Sequence, residues 1–237
     1  LDRIAASSRR SRDFTRDIVE AIESHPALCN HVHLPVQSGS TDVLRRMARD
    51  YTREQYLERI AWIRGAKRPI SITTDIIVGF PGETEADFEQ TITLLDDVGY
   101  DLIFSFQYSP RPNTPSLRME DVVPEEEKGQ RLRILQDRQK QIPLRRSARF
   151  VGPAQEVLVE GRGNRENQWK GRTTQNIVLN FTVAEDRAAP VAPGDYWHAR
   201  VTQAGPNSLV GEAVAGPIAS GRPREPAAGG GSPFLIL

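Results

Sequence analysis

The stretch from Ser71 to Thr84, SITTDIIVGFPGET, constrains the fold more than any other part of this sequence. An apolar, β-branched run over 70–78 breaks at Gly79, turns through Pro81-Gly82 and meets a helix start at Thr84. The pattern predicts a buried parallel strand that leads through a glycine turn into a helix. Ligands bind at such strand ends in parallel α/β folds, but a tight turn without a ligand fits the stretch equally well.

Polar side chains at predicted strand ends are the first candidate site residues. Asp75 is a carboxylate inside the apolar run, while Gln37 and Ser38 end the preceding predicted strand, 31–38. Arg111 lies in a loop with three prolines that follows the next strand. A stiff loop with an arginine suits an anionic ligand, and a rigid connection alone is an equally good interpretation.

The histidines and the cysteine limit what metal chemistry the chain can carry. His31 and His33 share one strand face, but the sequence places no third ligand near them, so a hydrogen-bonding role is favoured. Cys29 is the sole cysteine, which excludes an intrachain disulfide and indicates a reducing compartment, the cytoplasm. It also excludes an iron–sulfur site built from several cysteines of this chain alone.

Repeated strand–helix alternation predicts a parallel α/β fold over the first part of the chain. Helix caps are predicted at Ser40 or Thr41, at Thr52 and at Thr84, and a long helix at 124–142. No apolar run approaches the roughly 18 residues of a membrane span, so no membrane association is expected.

Beyond Pro143 the pattern changes to short alternating strands, which predict a small closed or nearly closed β-barrel. These strands are predicted at 154–160, 177–181, 196–202 and 208–213. The chain has no net charge, yet residues 128–172 hold twelve Lys/Arg against four Asp/Glu, which suggests a polyanionic partner. The candidate RNA-binding residues of this region are Arg145, Arg146, Arg149, Arg162, Arg165, Trp169, Lys170, Arg172 and Phe181. Basic side chains with exposed aromatics favour RNA, whereas a solvated charged face over buried aromatics is the alternative.

Several motifs, in order along 28–215, resemble the MiaB-type tRNA methylthiotransferases of the radical S-adenosylmethionine (SAM) superfamily. They are HLPVQSGS (33–40), DIIVGFPGET (75–84), SFQYSPRPNTP (105–115), VPEEEKGQRLRILQ (123–136), and VLVEG, KGRT, VLNF and PNSLVGEAV in the barrel. The resemblance implies the C-terminal part of a radical SAM partial (β/α) barrel at 1–142 and an OB-like TRAM barrel at 143–216. The remaining residues, 217–237, are rich in Gly, Pro and Ala and are expected to be disordered.

The resemblance implies methylthiolation of isopentenylated adenosine next to the tRNA anticodon, by a 5′-deoxyadenosyl radical made from SAM. Family members carry two 4Fe-4S clusters, and their cysteine ligands are absent from this chain. The implied partners are therefore tRNA and a missing N-terminal cysteine-bearing half, and the chain alone is expected to be inactive.

The motifs also imply individual roles. The cofactor-binding residues are Gln37, Ser38, Asp75, Ile77, Val78, Gly79 and Tyr108. Gln37 and Ser38 would approach the ribose or amino-acid end of SAM, and residues 77–79 its adenine. Arg111 would lie toward the substrate nucleotide.

Two other functions stay open on the sequence. One is a catalytically inert tRNA-binding fragment, which iron content distinguishes from the intact enzyme. The other is a barrel enzyme without radical chemistry that acts on a phosphorylated small molecule, which RNA affinity distinguishes from both.

Overall fold

The structure is a computed structural model that describes residues 3–7, 11–119, 123–184, 190–218 and 235–236. These residues form two compact units. The strand–helix unit contains the described residues of 7–25 and 32–143, and the barrel unit contains those of 3–6, 26–31 and 144–237. None of the helices in the described ranges is long and apolar enough to cross a membrane.

Ten strands, five α-helices and three short 3₁₀ helices make up the described secondary structure. The strands are β1 (Ile4–Ser7), β2 (Leu28–His33), β3 (Ser71–Val78), β4 (Leu102–Gln107), β5 (Ala154–Arg162), β6 (Gln168–Thr173), β7 (Val178–Thr182), β8 (Tyr196–Ala204), β9 (Leu209–Ile218) and β10 (Leu235–Ile236). The helices are α1 (Arg16–Ser24), α2 (Thr41–Arg46), α3 (Arg53–Arg64), α4 (Glu85–Val98) and α5 (Glu125–Ser147).

In the strand–helix unit, β3 lies between the end of β2 and β4. β3 and β4 pair in parallel, with Asp75 opposite Phe104 and Ile77 opposite Phe106. Ile72 and other apolar residues of β3 are fully buried, as expected for a strand covered by helices. The predicted α/β class of this part is confirmed.

Local capping signals start the helices at the predicted places. Thr52 forms a capping box with Gln55 before α3, and Thr84 forms one with Asp87 before α4. Helix α5 differs from its prediction, since it continues to Ser147 rather than ending before Pro143. Proline disfavours a helix interior but does not always end a helix, so the predicted end was wrong.

The barrel unit contains a closed barrel in the order β5-β6-β7-β9-β8, and this confirms the predicted small β-barrel. Its core includes Val157, Leu179, Phe181 and Trp197, all fully buried. One of the five strands, β6, was not predicted, because its charged residues and glycine obscure the alternation of apolar residues. The same unit also contains β10, β1 and the start of β2 in that order, with β10 parallel to β1.

The predicted disordered tail, 217–237, lies outside the described residues at 219–234 and 237. Its described residues do not follow the prediction, because 217–218 end β9 and 235–236 form β10.

Candidate functional site

The turn after β3 takes its shape from two glycines in the left-handed region and from a buried carboxylate. Gly79 has φ of 72° and Gly82 has φ of 76°. The carboxylate of Glu83 accepts a hydrogen bond from the Gly79 N–H at 3.0 Å. Burial raises the pKa of Glu83 above its ordinary value, even though Gly79 and Arg131 donate hydrogen bonds to the ionised form. A single buried carboxylate therefore closes this turn.

The structure gives Gly79 a role in packing. A Cβ at this position would lie 2.4 Å from Cγ of Lys128, whose side chain is buried. The family resemblance implied that residues 77–79 approach the adenine of SAM. The stem of Lys128 already requires a residue without a side chain here, so Gly79 is no evidence for a ligand.

A cleft of about 640 Å³ opens at the carboxyl ends of β3 and β4 within the strand–helix unit. It is lined by Gln37, Arg46, Met47, Ala48, Arg49, Asp75, Ile77, Phe80, Phe106, Gln107, Tyr108, Ser109, Arg111, Thr114, Pro115, Ser116 and Met119. Ligand sites commonly have volumes of about 300–1,000 Å³ and combine apolar walls with a few polar groups. The cleft therefore has the size and composition of a small-molecule site.

Gln37 is held at the cleft by its backbone. Its N–H donates to the Asp75 carbonyl at 2.9 Å, and its carbonyl accepts from the Ile77 N–H at 2.8 Å. Its φ of 71° is unusual for a residue other than glycine. Such strained backbone persists only where the surrounding structure enforces it, and it occurs often at functional sites.

Tyr108 places a buried hydroxyl in the cleft wall. Its ring packs against Phe80 with 5.0 Å between centroids, and the ammonium of Lys128 lies 5.7 Å from the ring centre. Within the described residues the Tyr108 hydroxyl has no hydrogen-bond partner. Buried hydroxyls nearly always have a partner, so this one has an unused donor and acceptor beside the cleft.

Asp75 faces His33 across the neighbouring strands, with 3.5 Å between the carboxylate and Nε2. His33 Nδ1 lies 2.9 Å from Oγ1 of Thr73, in keeping with the hydrogen-bonding role predicted for it. No group of three or more His, Cys, Asp or Glu residues able to hold a metal occurs in the described part of the chain.

The structure brings together only some of the predicted cofactor-binding residues. Gln37, Asp75, Ile77 and Tyr108 line the cleft, and so does Arg111. Ser38, Val78 and Gly79 do not, and the first two side chains are fully buried. The Ser38 hydroxyl accepts from the Ser40 N–H at 3.2 Å and lies 3.4 Å from the Thr91 hydroxyl. The Ser38 side chain therefore does not line the cleft, and its contact with SAM stays a prediction.

Two arginines of the cleft, Arg46 and Arg49, were not predicted from the sequence. Arg46 ends α2 and Arg49 follows it, and both line the cleft with Arg111 against the single carboxylate of Asp75. Arg46 also donates to the carbonyl of Gly82, which ties it to the glycine turn. The sequence showed only that both arginines lie about two turns after a predicted helix cap. This position does not reveal which side of α2 faces the strand ends.

On the barrel, some candidate RNA-binding side chains are exposed to solvent, and others already pair with neighbouring residues of the protein. The guanidinium of Arg162 lies over the ring of Trp169 at 4.0 Å, and both residues face each other in the β5–β6 pairing. Lys170 on β6 is exposed. Arg172 instead pairs with Glu160 at 2.8 Å and donates to Asn176. Arg162 and Lys170 are thus the better placed cations of this group.

The predicted stacking role of Phe181 is wrong, because its side chain is fully buried in the barrel core. Trp169 is 9 % exposed, and Arg162 lies over its ring. Trp169 on β6 and Phe181 on β7 therefore fit the alternative interpretation, in which aromatic side chains are buried beneath a charged face. Arg145, Arg146 and Arg149 follow one another around the end of α5, where Arg149 lies 4.6 Å from the ring centre of Phe150.

Comparisons with known proteins give two family matches. Residues 3–95 match the Radical SAM superfamily, and residues 148–214 match the TRAM domain. Relatives named tRNA-2-methylthio-N(6)-dimethylallyladenosine synthase are 57 % identical over 215 residues in Koribacter versatilis, 44 % over 212 in Geobacter metallireducens and 48 % over 202 in Thermus thermophilus. These alignments cover 90 %, 90 % and 85 % of this chain, and 48 %, 47 % and 42 % of the relatives. The chain thus spans about half the length of the relatives it matches.

Proposed function

Because the chain belongs to the MiaB-type tRNA methylthiotransferases of the radical SAM superfamily, we propose that it supplies the SAM-binding and tRNA-binding parts of such an enzyme. The reaction is methylthiolation of dimethylallyl-modified adenosine in tRNA. The observation that carries the proposal is the convergence of Gln37, Asp75, Ile77 and Tyr108 on one cleft at the strand ends. Strand ends of parallel α/β folds are where ligands bind.

The residues present fit a nucleoside cofactor. The buried Tyr108 hydroxyl lacks a partner among the described residues, and a ligand hydroxyl or ring nitrogen would satisfy it. Gln37 and Asp75 add an amide and a carboxylate, and Ile77 adds an apolar surface for a base. Ser38, Val78 and Gly79 do not line the cleft but are next to lining residues in the sequence.

When bound, SAM and its iron–sulfur cluster supply the radical chemistry that replaces hydrogen by sulfur on the adenosine. The residues of this chain orient the bound molecules and exclude water. Ile77 and Phe80 remove apolar ring surface from solvent, and Gln37 and Tyr108 fix its orientation through hydrogen bonds. Arg111, with Arg46 and Arg49, provides positive charge for substrate phosphates.

We place the cysteine ligands of both clusters outside this chain, on a cysteine-bearing N-terminal half. Cys29 is the only cysteine of the sequence and is buried in β2. One thiolate is too few for a cluster that takes its ligands from several cysteines. A cytoplasmic location follows from the same proposal, since tRNA is the substrate.

The barrel is proposed to bind tRNA through exposed cations rather than through stacking by Phe181. Lys170 and Arg162 attract the phosphate backbone, and Arg165 extends the exposed positive charge along the β5–β6 connection. The functional boundaries proposed are 1–142 for the radical SAM part and 143–216 for the TRAM part. The matched TRAM residues, 148–214, support the second.

The test is a hybrid enzyme in which this chain replaces the matching part of the Koribacter versatilis relative. We expect the hybrid to restore 2-methylthio-N6-dimethylallyladenosine in tRNA of a strain that lacks the activity, measured by mass spectrometry of tRNA nucleosides. An Asp75→Ala hybrid serves as the site control and should restore much less. A folded, cluster-bearing hybrid that binds tRNA but forms no product would instead support the inert tRNA-binding alternative.

A further inference from the structure

Two large aromatic side chains on β4 are exposed on the same face of the sheet. Phe104 is 45 % and Phe106 is 53 % exposed, and they lie two residues apart along the strand. Strands of parallel sheets are usually covered on both faces. Exposed apolar surface on such a strand indicates a contact that these described residues do not make.

Only one of the two phenylalanines belongs to the cleft. Phe106 lines it, directly opposite Ile77 in the strand pairing, whereas Phe104 does not line it and packs edge-on against His33 at 6.1 Å. Met119, 37 % exposed, also lines the cleft. Phe106 and Met119 are therefore exposed apolar residues of the cleft lining, and we call these two residues the apolar wall.

Polar groups occupy other parts of the same cleft. Gln37 and Asp75 are the amide and carboxylate of its lining, and Arg46, Arg49 and Arg111 are its cations. Because Gln37 and Asp75 are assigned to SAM, the cations and the apolar wall remain for the substrate, which must offer an anionic part and a purely apolar branch. Unmodified adenosine lacks the apolar branch, so it would leave the apolar wall in contact with water.

We propose, on the basis of the proposed function, that the apolar wall binds the dimethylallyl group of the substrate adenosine. This group is a branched five-carbon alkenyl chain that forms no strong hydrogen bond, so its recognition depends on burial against apolar side chains. Methionine adapts to irregular apolar shapes, and the phenylalanine ring offers a broad flat contact. Phe106 is thereby a specificity-determining residue that distinguishes modified from unmodified adenosine.

The deciding experiment measures binding of two nucleosides to the 237-residue chain by isothermal titration calorimetry. We expect N6-dimethylallyladenosine to bind at least about tenfold more tightly than adenosine, because even one methylene in an apolar site changes affinity by about 10-fold or more. Phe106→Ala should bring the ratio of the two dissociation constants close to one. Phe106→Leu should retain most of the preference.

Phe104→Ala is the matched control, since it removes an equally exposed aromatic from the same face of β4 outside the cleft. It should leave the ratio unchanged, and circular dichroism should show all three variants folded. Equal effects of Phe104→Ala and Phe106→Ala would overturn the proposal and favour a protein partner on this face. A lack of preference, or of any binding of N6-dimethylallyladenosine, would also overturn it.

The outcome is separable from that of the proposed function. If the hybrid enzyme forms product while the nucleoside preference does not depend on Phe106, the subsite is wrong and the function stands. If the hybrid forms no product while the preference depends on Phe106, the cleft binds the modified nucleoside without the proposed reaction.

Discussion

The carboxylate of Glu83 lies 2.8 Å from Nη1 of Arg131, and both side chains are almost fully buried, at 1 % and 4 % exposure. Arg131 also donates to the Glu83 main-chain carbonyl at 3.1 Å. The pair joins the glycine turn after β3 to α5. Phe80, inside that turn, packs against Tyr108 in the cleft. A buried ion pair outside the cleft thus holds part of the cleft wall in position.

Removing one partner of this pair should be costly. We expect Glu83→Ala to lower the free energy of unfolding by about 3 kcal/mol, the low end for a broken buried pair, since Glu127 remains beside Arg131. Chemical denaturation followed by circular dichroism measures this. Lys140→Ala breaks an exposed pair with Asp137 and should change stability little. Similar losses in the two variants would contradict the role assigned to Glu83.

The contribution of the Glu83 carboxyl group to the free energy of unfolding should fall as pH rises. The pKa of Glu83 is raised above 4.5 because burial disfavours its charge. The folded state then holds the proton more tightly than the unfolded state, so this contribution to stability is lost as pH rises through the folded pKa. We expect the free energy of unfolding of the wild type minus that of Glu83→Gln to fall from pH 4 to pH 7 in urea unfolding, because glutamine does not titrate. A signed difference that rises over this range would show that the pKa is lowered instead.

Gly79→Ala should destabilise the protein by about 2–4 kcal/mol, as the sum of left-handed backbone strain and overpacking against Lys128. Gly194→Ala separates the two effects, because Gly194 has φ of 90° with no atom within 4 Å of the added Cβ. We expect a cost of about 1–2 kcal/mol for that control. Thermal and denaturant unfolding measure both variants, and equal costs would mean that Lys128 moves aside easily.

The prediction for the barrel concerns how strongly its binding of tRNA depends on salt concentration. Lys170→Ala should weaken tRNA binding and reduce the slope of log K against log salt by about one, as expected when one phosphate contact is lost. Arg200→Ala removes the same charge from β8, a strand that does not pair with β6. It should leave the slope nearly unchanged in filter-binding titrations. Identical slope changes would indicate diffuse attraction instead of a β6 contact.

Local sequence signals predicted much of this fold. The capping boxes at Thr52 and Thr84 involve residues three apart, and the C-cap Gly99 adopts a left-handed conformation with φ of 61°. The apolar run that became β3 was equally clear. These features depend on neighbours within one turn or strand, so a single sequence is enough to identify them.

The parts that the sequence did not predict depend on distant contacts. Lys128 fills the space beside Gly79 from 49 positions along the chain, and no local pattern indicates this. Ser38 faces Thr91 rather than the cleft. Phe181 faces the barrel core, and the sequence did not reveal this because alternation along a strand does not state which of its faces is inside.

Binding of labelled SAM to the anaerobically reconstituted hybrid enzyme, measured by equilibrium dialysis, tests most directly whether the cleft is the cofactor site. We predict that Tyr108→Phe weakens binding by about three- to tenfold, the value of one hydrogen bond to a buried hydroxyl. Phe104→Ala, outside the cleft, should bind like the wild-type hybrid. Unchanged binding in Tyr108→Phe, or equal weakening in both variants, would contradict the assignment of the cleft.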